Sequence, residues 1–243
     1  MDYKDFDRMV NEAESNYTRS YRPSTTLPVL MRKVYTWMAL ALVITGVTAY
    51  GVATTPAVIE AIVMNRMLFW GLVIAEFGLV WGVTGMLNRL SLTTATLMFI
   101  AYSVINGALL SVIFLVYTMD SIGMVFFITA ATFGVMALIG YTTKTDLSKM
   151  GSILFMALIG LIIATVVNMF MHSSGLQMVI SYAGVLIFVG LTAYDSQKIK
   201  QMLAMSDSAD ESAQKLALVG ALSLYLDFIN LFLYLLRILG NRK

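Results

Sequence analysis

The chain has 243 residues, of which 59% are hydrophobic and only 12% are charged, and its formal net charge is +2 at pH 7. Because a soluble protein of this composition could not cover its surface with polar groups, the sequence predicts one polytopic membrane domain. The nearly balanced charge argues against a nucleic-acid partner, and the absence of cysteine excludes disulfides, thiolate catalysis and cysteine metal sites.

Residues 1–29 mix acidic, basic and small polar side chains with few apolar ones, which predicts a flexible tail. This segment does not resemble a signal peptide, and the apolar run after it is long enough to span a bilayer. We therefore expect the first membrane helix to act as the internal targeting signal, with residues 30–243 forming the membrane domain.

Seven apolar runs near the length of a membrane-spanning helix follow the tail, and none shows the two-residue alternation of a barrel strand. The sequence thus predicts an all-α membrane protein with seven transmembrane helices and short connections. The predicted spans are Leu30–Ala53, Met67–Leu87, Leu92–Tyr117, Ile122–Tyr141, Gly151–Met171, Leu176–Ser196 and Leu216–Leu239.

Basic residues indicate the orientation of these spans. Most lie in the tail and in the second, fourth and sixth connections, whereas the first, third and fifth connections hold only Arg66. The positive-inside rule then predicts a cytoplasmic amino terminus. Arg237, Arg242 and Lys243 after the seventh span would lie outside, against the same rule. The last helix therefore either crosses or folds back, and we favour crossing.

Missing residues argue against catalysis. His172 is the only histidine, so the paired histidines of a metalloprotease motif cannot be built. The sequence also lacks a phosphate-binding loop, a dinucleotide-binding glycine pattern and a calcium-loop motif. The expectation is a protein that is not an enzyme and carries no resident cofactor.

Two acidic residues lie in or beside the second and sixth spans. Glu76 is in the middle of the second span, either as a cavity residue or hydrogen-bonded to a neighbouring helix. Asp195 lies near the cytoplasmic end of the sixth span, as an interface carboxylate that is solvated or paired with Lys198 or Lys200. Because a negative charge in the last turn of a helix opposes the helix dipole, Arg89 is an alternative partner for Asp195.

The seventh span carries a narrow polar stripe within an arc of about 80°. Its members are Ser223, Asp227, Asn230, Tyr234 and Arg237. An ionised side chain at the centre of a lipid-facing helix costs at least ~2.5–3.5 kcal/mol, so the stripe is expected to face the bundle centre. A hydrogen-bonded packing seam is the alternative, but such a seam gains nothing from a carboxylate, which favours a functional role. Asp227 lies in the middle of its span, whereas Asp195 lies near the end of its span. Their predicted depths in the membrane therefore do not by themselves bring the two residues together.

Three stretches of the chain resemble the Bax inhibitor-1 family, also called the transmembrane Bax inhibitor motif family, and its bacterial branch in particular. They are GYTTKTDLS from Gly140, GVLIFVGLTAYDSQKIK from Gly184 and ALSLYLDFINLFLYLLRILGNRK from Ala221. The resemblance covers residues 30–243. It implies six helices surrounding a central seventh and a pH-sensitive calcium leak channel in the cytoplasmic membrane of a bacterium.

The resemblance also implies roles for individual residues. Asp195 and Asp227 match a proton-sharing aspartate pair, and counting back from Asn106 places the arginine latch of the closed pore at Arg89. Two carboxylates at a site of low dielectric cannot both ionise cheaply, so protonation of the pair would release the arginine and open a wet cation path. Weak, transient calcium binding at the pair is expected rather than a high-affinity cage. Ser223, Asn230, Tyr234 and Glu76 are the candidate pore residues.

A second function remains open on the sequence. Some bacterial relatives are linked to the control of a membrane protease or a stress response, and the polar tail could bind such a partner without any conduction. A proton-coupled transporter of an organic solute is a third alternative. Deleting the tail should abolish partner binding but spare a channel.

Overall fold

The computed structural model describes residues 26–87, 89–206 and 208–243, and helices make up nearly all of these ranges. Seven helical segments of the described chain are long and apolar enough to cross a membrane, which confirms the predicted all-α membrane fold. The helices are α1 (Thr26–Ala53), α2 (Pro56–Met64), α3 (Arg66–Gly85), α4 (Leu92–Leu110), α5 (Ile113–Val116), α6 (Met119–Thr142), α7 (Ser148–Met171), α8 (Ser174–Ala204) and α9 (Glu211–Leu239). The predicted tail lies outside the described residues except for its last four, which begin α1.

Helix boundaries differ from the predicted spans in ways that the physics of a membrane edge explains. Helix α8 continues to Ala204 and α9 begins at Glu211, whereas hydropathy placed these ends at Ser196 and Leu216. Hydropathy follows the thickness of the hydrocarbon layer, but backbone hydrogen bonds can continue into water. At the start of α9, the Asp210 carboxylate accepts a hydrogen bond from the Ala213 N–H at 2.9 Å and caps the helix.

Contacts near the ends of the helices define the two ends of the molecule. At the amino-terminal end, Lys33 Nζ donates to Gln214 Oε1 at 2.8 Å. At the opposite end, Tyr117 pairs with Arg242 in an antiparallel bridge, and the Lys243 N–H donates to the Val116 carbonyl at 3.0 Å. Helix α9 therefore runs the full length of the bundle and does not fold back, as the favoured alternative predicted.

Helix α9 is the most buried of the seven spanning segments, and α3 and α7 are the least buried. It packs against α1, α4, α6 and α8, while α3 packs on α4 and α7 packs on α8. These contacts give a central seventh helix with four principal neighbours. The predicted arrangement of six helices around the seventh is not confirmed by these contacts.

Close packing fixes α8 against α6 beside Asp195. Gly140 of α6 lies against the backbone of Ala193, where a β-carbon would collide with it. One turn earlier on α6, the Ala137 carbonyl accepts a hydrogen bond from Ser196 Oγ at 2.8 Å. Ser196 Oγ is also 3.1 Å from Tyr35 Oη of α1. The backbone that carries Asp195 is thus held by two neighbouring helices.

Candidate functional site

The Asp227 carboxyl group is buried in the middle of α9, with 5% of the residue exposed. Its Oδ2 atom has no hydrogen-bond partner within the described parts of the chain. Burying a polar atom without a partner is unfavourable, and natural proteins satisfy most such atoms. An acidic group kept in this position is therefore better explained by a function than by packing.

The antiparallel register of α8 and α9 brings Asp195 close to Asp227. Gly220 packs against Ile199, and Gly184 packs against the ring of Tyr234. This register places Asp195 opposite Ser223 or Leu224, about one helical turn or roughly 5 Å along the axis from Asp227. Asp195 and Asp227 therefore lie near each other across the α8–α9 contact. The depth difference that the sequence implied is thereby reduced to about one helical turn.

The lysines beside Asp195 have different environments. Lys200 Nζ donates to the Tyr141 carbonyl at 2.7 Å and lies over the Tyr141 ring. Lys198 is exposed, and its Nζ atom lies 5.7 Å from the centre of the Tyr194 ring. Within the described residues, no ion pair joins Asp195 to either of the two lysines considered from the sequence.

Arg89 lies at the amino-terminal end, in the connection between α3 and α4. Its side chain is exposed, and its N–H donates to the Met86 carbonyl at 2.8 Å. Across residues 26–87, 89–206 and 208–243, no ion pair joins Arg89 to Asp195 or Asp227. The structure does not bring the three predicted gate residues together, and the latch role of Arg89 stays a prediction.

The polar stripe of α9 faces α8, and Asp227 is its only fully buried member. Ser223, Asn230 and Tyr234 are half-buried, and Arg237 is exposed. Tyr234 stacks on Phe188 with ring centres 5.8 Å apart. The prediction that the whole stripe faces the bundle centre is wrong, because the opposite side of α9 is the more deeply buried one. The aromatic and aliphatic side chains of that side fill the space between α1, α4 and α6.

A second polar cluster lies on that deeply buried side. The Tyr225 hydroxyl donates to Asn106 Oδ1 at 3.0 Å and is 2.7 Å from Thr45 Oγ1. Asn106 Nδ2 donates in turn to Glu76 Oε1. Glu76 is therefore hydrogen-bonded to a neighbouring helix, the second of its two predicted environments. The cluster joins α1, α3, α4 and α9.

Counting the available protons shows the direction in which hydrogen bonds are donated along this cluster. Each hydroxyl has one proton, so a complete chain of donors runs from Thr45 to Tyr225, then to Asn106, and ends on the Glu76 carboxylate. Thr45 can alternatively donate to the Ser103 carbonyl at 3.0 Å. The chain ends on an acceptor that, when ionised, needs such a donor.

Sequence reasoning did not identify Thr45, Asn106 or Tyr225 as cluster members. A mid-span asparagine and an off-stripe tyrosine were detectable signals, since buried amides and phenols need partners. Thr45 gave no signal, because a threonine in a membrane helix commonly bonds a carbonyl of its own helix.

The aspartate pair supplies few ligands for a metal ion. Among the described residues, no group of three or more histidine or acidic side chains is placed to hold one. Two carboxylates offer at most about four oxygens, whereas Ca²⁺ takes six to eight. A calcium ion at the pair would therefore keep several water molecules and bind weakly.

Comparisons with known proteins agree with this architecture. A family model described as "Inhibitor of apoptosis-promoting Bax1" matches residues 27–243. The chain is 48% identical over 223 residues to "Inner membrane protein YbhL" of Escherichia coli (strain K12), covering 91% of this chain and 95% of that protein. It is 49% identical over 213 residues to an uncharacterized protein of Borreliella burgdorferi, covering 88% and 92%. An uncharacterized membrane protein of Streptococcus pyogenes serotype M6 is 39% identical over 183 residues, covering 75% and 79%.

Proposed function

The chain belongs to the Bax inhibitor-1 family, and on that premise we propose that it is a pH-sensitive calcium leak channel of the bacterial cytoplasmic membrane. The supporting observation is Asp227, a buried carboxyl group of which one oxygen has no partner among the described residues, and which lies near Asp195 across the α8–α9 contact. The name of the Escherichia coli relative supports the inner-membrane location. The distribution of basic residues supports an amino terminus in the cytoplasm.

The proposed sensor is the proton shared by Asp195 and Asp227. At mildly alkaline pH the pair carries negative charge and attracts a cation of the protein. At mildly acidic pH the pair takes up a proton and loses that attraction. Calcium flux is therefore expected to increase as pH falls.

The proposed latch is Arg89, which would hold the pair in the closed state. Because the described side chain of Arg89 is exposed in a connection, this role requires a second arrangement in which Arg89 moves toward the pair. A connection can make such a move more easily than a packed helix. Lys198 lies on α8 itself, three residues after Asp195, and is the nearest basic residue in the sequence.

Polar side chains on the α8-facing side of α9 would provide the cation path. Ser223, Asn230 and Tyr234 are half-buried along the same stripe as Asp227. The Asn230 amide donates to the Leu226 carbonyl of its own helix at 2.8 Å, which leaves its side-chain oxygen free to accept from water. Oxygen ligands of this kind suit calcium in transit.

Purified protein in liposomes tests conduction directly. Vesicles loaded with a calcium-sensitive dye should show calcium entry that exceeds the entry into protein-free vesicles and that increases at acidic pH. Equal calcium entry into protein-containing and protein-free vesicles at every pH would contradict a channel. A non-conducting regulator that acts through residues 1–29 would then be the better account.

A further inference from the structure

A polar cavity of about 750 Å³ opens at the end of the molecule opposite the amino-terminal end. Three elements form its walls: the last turns of α7, the first turns of α8, and the end of α9 with the residues that follow it. It is separate from the aspartate pair and from the Glu76 cluster, whose residues do not line it.

The charge of this cavity is positive. Arg237 and Arg242 line it together with His172, and no acidic residue of the described chain is among its lining residues. Both arginine side chains are exposed. Arginine presents a planar fork of donors that matches the oxygens of a phosphate group.

The position of these arginines is not explained by membrane insertion. Basic residues concentrate at the amino-terminal end, and the positive-inside rule favours them there. Arg237 and Arg242 lie at the other end, because the carboxyl-terminal residues pair with Tyr117. An anionic ligand would compensate their charge.

Neutral polar side chains that are already hydrogen-bonded line the same cavity: Asn168 Nδ2 donates to Gln177 Oε1 at 3.3 Å, and Ser181 Oγ donates to the Gln177 carbonyl at 2.9 Å. Asn168 and Ser181 are buried, with 8% and 3% of each residue exposed. Asn168 Oδ1 accepts a hydrogen bond from the Ser173 N–H at 3.1 Å and so holds the α7–α8 connection in place. The first N–H groups of α8 lie beside this connection, and the positive end of the helix dipole adds to the potential of the arginines.

From this geometry we infer that the cavity binds a phosphate group through Arg237 and Arg242, with the start of α8 as a further donor surface. The group could come from the head of an anionic phospholipid at the membrane surface or from a free phosphate ion in solution. Both sources present the same oxygens to the same donors. Arg237 also lies over the Tyr234 ring at 5.3 Å, so the site contacts the polar stripe of α9.

Thermal unfolding of the full chain in zwitterionic detergent tests this inference. Inorganic phosphate and a short-chain phosphatidylglycerol are titrated separately, with chloride and a short-chain phosphatidylcholine as their controls. At least one of the two phosphate compounds should raise the unfolding temperature saturably, since a ligand that binds only the folded state stabilises it. Arg237→Gln and Arg242→Gln should each weaken the apparent affinity by about tenfold or more.

Arg66→Gln is the matched control, because Arg66 is an exposed arginine at the same end but does not line the cavity. It should retain the wild-type affinity. Saturation by phosphatidylglycerol alone identifies a lipid site, and saturation by inorganic phosphate identifies a site for a soluble anion. The inference is overturned if neither compound saturates, or if Arg66→Gln weakens binding as much as the two cavity variants do. Two separate arginine variants keep the test valid if one of them fails to fold.

Discussion

Asp227 and Tyr225 are polar residues of one helix that differ in their hydrogen-bond partners. They lie two residues apart on opposite sides of α9, and both are buried. The Tyr225 hydroxyl has two partners, whereas Asp227 Oδ2 has none among the described residues. A satisfied group stabilises packing, and an unsatisfied acid is available to bind a proton or a cation.

A double variant tests whether Asp227 and Arg89 act as one gate. Asp227→Asn keeps the size of the side chain but fixes its neutral state, so calcium flux should lose its pH dependence. Arg89→Ala should weaken the closed state in the same way. The double variant should resemble either single variant rather than their sum, as flux measurements in liposomes would show.

Lys144→Ala is the control for this pair, since Lys144 is an exposed basic residue at the same end. It should leave the pH profile unchanged. Additive effects of Asp227→Asn and Arg89→Ala would show that the two residues act independently and that Arg89 is not the latch.

Tyr225→Phe tests the second polar cluster. Removing the hydroxyl leaves Asn106 Oδ1 without the donor that it has in the structure. Leaving a buried acceptor unpaired should lower the free energy of unfolding by about 1–3 kcal/mol. Denaturant titration in micelles measures this change. Tyr182→Phe, at a tyrosine that is 51% exposed, should change stability little, and an equal loss in both variants would argue against the cluster.

The sequence was sufficient to predict Asp227 but not its surroundings. A charged residue in a long apolar run is detectable because its cost in lipid is large. The partners of Tyr225 could not be predicted, because Thr45 and Asn106 reach it from other helices, and their distances depend on packing that no local pattern encodes. For Arg89 the sequence predicted a partner of the aspartates, but the structure places this residue in an exposed connection.

At the scale of helices, one close approach sets the position of α8. Gly140 lies against the backbone of Ala193, and hydrogen bonds from Ser196 continue the contact toward α1 and α6. In the sequence, Asp195 is adjacent to Ser196 and two positions from Ala193. The α6–α8 contact therefore determines where one member of the aspartate pair can be.

Gly140→Ala tests this contact. A β-carbon would collide with the Ala193 carbonyl, so α6 and α8 must separate, and the free energy of unfolding should fall by about 1–3 kcal/mol. Gly134→Ala on the same helix is the control, because no atom lies within 4 Å of the added β-carbon. That variant should be neutral or more stable by up to about 1 kcal/mol, since alanine favours the helix. Equal losses in the two variants would contradict a specific α6–α8 contact.

Helix existence was easier to predict than helix ends. Every predicted span corresponds to a helical segment, but the third is divided between α4 and α5, and the short helix α2 occupies a connection that hydropathy leaves unassigned. Length and apolar content determine that a segment spans the membrane. Where the helix stops depends on caps such as Asp210 and on contacts between connections.

For the whole molecule, the two ends differ in charge and in chemistry. The amino-terminal end carries Arg89 and the lysines of α8, while the opposite end carries the phosphate-binding cavity proposed above. Because α9 runs the full length of the bundle, its two termini lie at opposite ends of the molecule.

Chemical labelling of introduced cysteines tests the orientation, since the natural chain contains none. Lys243→Cys should react in intact cells with a maleimide that crosses the outer but not the inner membrane. Lys144→Cys should react only after the inner membrane is opened. The reverse pattern would contradict the cytoplasmic amino terminus that the positive-inside rule predicts.

The pH profile of calcium entry into liposomes tests the central claim most directly. Wild-type protein and Asp227→Asn are compared from mildly acidic to mildly alkaline pH, with Asp120→Asn, at an exposed acid of the opposite end, as the control. The wild type and Asp120→Asn should conduct more as pH falls, whereas Asp227→Asn should conduct equally at every pH. A pH response that survives in Asp227→Asn would contradict the account, because the sensor would then lie elsewhere.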